Sequence, residues 1–117
     1  MITGTNDIVT ELSKIGRELD ELSHEIARLD RDCVLARSEY RKAYARRYLN
    51  LEGSVETRKQ QSTLDAEAEL LEAEIADQLH RAARERIRVL RDRLEIGRSI
   101  GAARRSEFAA ESVGQTT

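Results

Sequence analysis

The sequence predicts an all-α fold: a long antiparallel two-helix coiled-coil hairpin that assembles into a helical bundle. Three observations carry that expectation. Read at alternating steps of four and three, Ile8, Leu12, Ile15, Leu19, Leu22, Ile26, Leu29, Cys33, Ala36 and Tyr40 form an unbroken heptad seam, a pattern that chance rarely sustains. The 117 residues contain no Pro, and 36% of them are charged. Nothing therefore forbids long helices, and the composition suits solvated helices better than a globular core. The third observation is that Glu52-Gly53-Ser54 is the only credible break in the middle of the chain.

Taken in order, residues 1–6 read as a flexible arm. Thr5 or Asn6 caps the first helix, and Asp7 lies at its positive end. Helix one runs over about residues 7–51, with its seam continuing through Tyr44, Tyr48 and Leu51. Gly53 ends it in the left-handed conformation, Ser54 caps the next helix, and Glu56 falls in the new first turn. So short a turn, residues 52–54, reverses the chain.

Helix two runs over about residues 55–110, which closes a helical hairpin of residues 7–111, and residues 112–117 read as a small, polar, flexible tail. Its seam is expected at Leu64, Ala68, Leu71 and Ile75, with a seven-residue series continuing through Ala82, Val89, Ile96 and Ala103. A second apolar row, Leu79, Ala83, Ile87, Leu90 and Leu94, reaches Gly97 and Gly101. At ~100° per residue the two rows lie roughly 120° apart, more apolar surface than one partner helix covers.

Charge distinguishes the orientation. Residues 1–28 carry a net −3, 29–52 a net +2, 53–79 a net −5 and 80–117 a net +4. Folded antiparallel about Gly53, so that facing positions sum to about 106, acidic blocks face basic ones; a parallel pairing sets like against like.

The overall charge of −2 gives no strong general field for nucleic acid or acidic membranes. There is no basic start followed by an apolar block, and the longest apolar run, Cys33 to Ala36, is far below the ~20 residues of a membrane span. A lone Cys33 points to a reducing cytoplasm. His24 and His80 have no Cys or His at ligand spacing, and no phosphate loop or nucleophile elbow is present. The expectation is therefore no enzyme, no metal and no cofactor.

Two basic regions admit a nucleic-acid reading. One is the Arg-rich second half of helix two, which the acidic start of helix one answers equally well. The other is the hairpin tip, where Arg37, Arg41, Lys42, Arg46, Arg47, Arg58 and Lys59 interleave with Tyr40, Tyr44 and Tyr48. Charge and stacking of this kind hold single-stranded nucleic acid, but tyrosines on the seam also serve as core with hydroxyls at its edge. Gly97 and Gly101 on one helix face signal either a close approach or a helix end.

The segments Glu52-Gly-Ser-Val-Glu-Thr-Arg-Lys59 and Arg93-Leu-Glu-Ile-Gly-Arg-Ser-Ile-Gly-Ala-Ala-Arg-Arg-Ser-Glu-Phe108 resemble small helical proteins encoded by bacteriophages of actinobacteria. The resemblance covers the second half of helix one through the end of helix two. It implies a phage recombination or replication context in a host cytoplasm, assigns no activity and carries over no functional residue.

The expected function is that of a coiled-coil interaction or scaffold protein with a protein partner. A homodimer through Ala82, Ile87, Val89, Leu90, Leu94, Ile96 and Ala103 is expected, since a lone hairpin leaves its flanks wet. The alternative is a nucleic-acid-binding accessory factor that works through the basic tip.

Overall fold

The structure, a computed structural model, describes residues 5–115. Among them every regular element is helical: α1 spans Thr5–Asn50, α2 Val55–Asp65 and α3 Glu67–Gln115. This is the all-α helical hairpin expected of the sequence. α1 starts two residues before Asp7, which puts Asn6 inside its first turn; residues 1–4 of the expected arm lie outside the described residues. At the other end α3 continues to Gln115, through most of the expected tail, and residues 116–117 lie outside the described residues.

The turn is built from local chemistry. Gly53 takes φ 112°, where a side chain would be strained. Ser54 stands extended ahead of α2, and its hydroxyl accepts the Thr57 N–H at 3.1 Å. Arg58 then donates from Nη2 to the Tyr48 carbonyl at 3.1 Å, which also accepts the Leu51 N–H at 3.4 Å, so the last turn of α1 is held by two donors.

Between α2 and α3 the helix falters at Ala66 (φ −100°, ψ 14°) without losing its backbone bonds. Ala66 N–H still reaches the Ser62 carbonyl, and Leu70 N–H reaches the Ala66 carbonyl, both at 3.0 Å. Neither Pro nor Gly marks this point in the sequence.

Two packing units result, one from residues 1–23 and 85–117, the other from residues 24–84. In the first, α1 lays Ile8, Leu12, Ile15, Leu19 and Leu22 against Ile87, Leu90, Leu94 and Gly97 of α3, and Ile8, Ile15 and Leu90 are buried. In the second, α1 contributes Ile26, Leu29, Cys33, Ala36 and the three tyrosines, while α2 and α3 answer with Ser62, Ala66, Ala73 and Ala83. Both are antiparallel: Leu12 lies against Gly97 and Glu18 meets Arg86 in the first unit, and Arg37 meets Asp77 and Arg47 meets Asp65 in the second.

The expected seam of helix two needs correcting. Leu64, Ala68, Leu71 and Ile75 face solvent, as do Ala82, Ile96 and Ala103, while Val89 is half-buried. The row that meets α1 is instead Ser62, Ala66, Ala73, Ala83, Ile87, Leu90, Leu94 and Gly97. Leu79, expected to begin this row, is exposed. Volume decides the choice in the second unit. Three tyrosines and Leu29 on α1 fill the seam from one side, so the opposing row must be small for the helices to pack without voids or clashes.

Candidate interaction surface

The inversion leaves large apolar side chains on the outside. In the second unit these are Leu64 (65% exposed), Leu71 (55%), Ile75 and Leu79. Their spacings of seven, four and four keep them on one side of the helix, opposite the small residues that touch α1. In the first unit Ile96 (59% exposed) and Ile100 line a groove with Ile8, Leu12 and Ile15 of α1, and Val89 is half-buried. Acidic residues flank the first set: Asp65, Glu67, Glu72, Glu74 and Asp77. Arginines flank the second: Arg88, Arg91, Arg93 and Arg98. An exposed apolar row rimmed by charge is the surface pattern of a protein-binding face.

The residues expected at a dimer interface fall on two sides of α3. Ala82, Ile96 and Ala103 are exposed, Ile96 in a groove with Ile8, Leu12 and Ile15, and Val89 is half-buried. Leu90 is buried, and Ile87 and Leu94 are half-buried in the seam with α1.

At the hairpin tip, four of the seven basic residues already have partners. Arg37 lies 3.5 Å from Asp77, Lys42 lies 3.7 Å from Glu39, and Arg47 pairs with Asp65. Arg58 caps α1 and also lays its guanidinium 4.1 Å from the centre of the Tyr48 ring. Arg41, Arg46 and Lys59 are exposed. The tyrosines are half-buried and pack on one another, Tyr40 edge-on to Tyr44 at 6.2 Å and Tyr44 stacked on Tyr48 at 6.3 Å. Their faces are thus partly used within the fold.

The Arg-rich segment is similarly occupied. Arg86 grips Glu18 with two hydrogen bonds of 2.8 and 3.1 Å across the first unit, and Arg88 pairs with Glu85 and Asp92. Hydrogen bonding to Arg86 holds the Glu18 carboxyl below its ordinary value, and Arg47 does the same for Asp65. His80 lies 3.7 Å from Asp30, Cys33 is fully buried, and among the described residues no group of His, Cys, Asp or Glu could hold a metal ion. No described helix is long and apolar enough to cross a membrane.

The two glycines have separate explanations. A Cβ on Gly97 would stand 2.5 Å from Leu12 Cδ2, so Gly97 makes room for a side chain of α1; at Gly101 the nearest atom is Arg105 Nη1 at 3.6 Å. The helix runs through both.

No protein family, curated protein or solved structure matches the chain. The surface itself is therefore the basis for a functional reading.

Proposed function

We propose that the protein is a non-enzymatic coiled-coil interaction module, phage-encoded and working in a host cytoplasm, that self-associates and presents a helical face to a protein partner. One observation carries this reading: Leu64, Leu71, Ile75 and Leu79 stand in solvent at helical spacing on the side of α2 and α3 away from α1. Holding a row of large apolar side chains in water costs roughly 25 cal/mol per Å2 relative to covering it, so a covering surface is the natural counterpart. The nucleic-acid alternative has less support, because Arg37, Lys42, Arg47 and Arg58 are engaged within the chain.

Light scattering at micromolar concentration tests self-association. The expected result is a molar mass above that of the 13.3 kDa chain, reduced to one chain by Leu71→Glu with Ile75→Glu while helical circular dichroism is retained. A well-folded wild-type monomer contradicts the reading.

A further inference from the structure

Resting on the reading that the outward face of α2 and α3 binds protein, we infer that the partner it fits is a basic amphipathic helix, apolar along one seam with Lys or Arg on both flanks.

The face is a coiled-coil seam that lies within residues 24–84, inside one packing unit. Leu64, Ala68, Leu71, Ile75, Gln78 and Ala82 follow one another at alternating steps of four and three, and all are exposed, with exposed Leu79 beside them. The row runs on through the faltering turn at Ala66, where the backbone bonds are kept. Ser62, Ala66 and Ala73 are buried on the side toward α1, which leaves this seam uncovered.

Shape is the first support. Around Leu64, Glu67, Ala68 and Leu71 the surface is hollowed by about 540 Å3. Those four positions, spaced i, i+3, i+4 and i+7, are the ones that form a hole for a knob of a facing helix. Small Ala68 keeps the hole open.

Charge is the second support, and it selects the kind of helix. The positions flanking the seam over residues 64–75 are Asp65, Glu67, Glu72 and Glu74, all acidic. Asp65 is held by Arg47, whereas among the described residues nothing pairs with Glu67, Glu72 or Glu74. Flanking charges of this kind set partner choice in coiled coils. A second copy answers them poorly. Laid parallel, it sets Glu67 against Glu72. Laid antiparallel with Leu71 on Ile75, it sets Glu72 on Glu72 and Glu74 on Glu74. The one opposite pair of that arrangement, Glu67 with Arg81, draws on an arginine that Asp77 already holds. Lys or Arg on the flanks of a partner helix meets an opposite charge at each of the three glutamates instead. A basic helix therefore displaces a second copy from this face.

The test uses the full chain and two synthetic three-heptad peptides with Ile and Leu along the seam. One carries Lys and the other Glu at every flanking position, and fluorescence anisotropy of the labelled peptide follows binding. The Lys-flanked peptide is expected to bind about tenfold or more tighter than its Glu-flanked twin. Leu71→Glu with Ile75→Glu removes that binding although it makes the chain more acidic, which separates seam docking from general charge attraction. Glu67→Lys, Glu72→Lys and Glu74→Lys together reverse the preference, and circular dichroism checks that each variant remains helical. Equal binding of the two peptides, binding of neither, or Lys-flanked binding that survives Leu71→Glu with Ile75→Glu overturns the inference. Light scattering on the same mixtures keeps it distinct from self-association. A wild-type oligomer that excludes the Lys-flanked peptide gives the face to the second copy and overturns the inference while self-association stands. A monomer that binds the Lys-flanked peptide with these preferences supports the inference and overturns self-association.

Discussion

The two packing units solve the same problem with opposite use of volume. In residues 1–23 and 85–117, Ile and Leu from α1 meet Ile87, Leu90 and Leu94, so both sides supply bulk. In residues 24–84, α1 supplies Leu29 and a run of stacked tyrosines, and α2 and α3 supply Ser62, Ala66, Ala73 and Ala83. The first unit therefore depends on side chains that must not shrink, the second on side chains that must not grow. The second also leaves its large apolar residues Leu64, Leu71, Ile75 and Leu79 on the outside.

Truncation gives the largest effect on this contrast. Leu90→Ala removes bulk from a side chain only 1% exposed, and a loss of about 2–5 kcal/mol is expected in denaturant unfolding. Leu71→Ala, the same change on the outward row, is expected to cost under about 1 kcal/mol in the isolated chain.

Enlargement reverses the ranking of the units. Ala73→Leu forces a branched side chain into the face opposing α1, where Ala73 is 6% exposed. Overpacking of this kind costs about 1–3 kcal/mol. The same substitution at exposed Ala82 should leave the unfolding midpoint nearly unchanged at concentrations where the chain is monomeric.

Glycines give a smaller and signed effect. Gly101→Ala meets only an ordinary contact with the Arg105 guanidinium and should stabilise α3 by up to ~1 kcal/mol through helix propensity. Gly97→Ala brings its methyl against Leu12 and should gain less or destabilise. Thermal unfolding of the pair decides between a packing role for Gly97 and a merely tolerated glycine.

The smallest effect is that of pH. Glu18 and Asp65 are held below their ordinary values by Arg86 and Arg47. Their folded-state pKa values are thus lowered, so the stabilisation is fully present above the ordinary carboxylate range, about pH 4, and is lost as pH falls through the lower folded values. Glu18→Gln should flatten the acid limb of a stability–pH curve slightly, the ion pairs being exposed.

How far the sequence revealed this follows from the same contrast. The α1 seam was legible because it is unbroken and bulky: every position from Ile8 to Tyr48 at heptad spacing is buried or half-buried. The turn was legible because Gly53 and Ser54 act through their own backbone and hydroxyl. The α2–α3 side was not, because it offers two rows and hydrophobicity ranks Leu64, Leu71 and Ile75 above Ser62, Ala66 and Ala73. The choice depends on what stands opposite, tyrosines some thirty residues away in sequence, and periodicity within one helix contains no such term. Arg58 illustrates the same limit. Counted as a free charge of the tip, it is spent on the end of α1 and on the Tyr48 ring.

The central claim, that small residues of α3 face α1 while Leu71 and Ile75 face away, is tested most directly by the native thiol. Cys33 is fully buried on α1, and a disulfide needs Cα atoms within about 7 Å. In chains oxidised under conditions where they are monomeric, Ala76→Cys or His80→Cys should bond to Cys33 within the chain, since Asp30 meets His80 and Arg37 meets Asp77, and Ile75→Cys should not. Rapid intrachain disulfide formation by Ile75→Cys, with none from positions 76 and 80, would contradict the account.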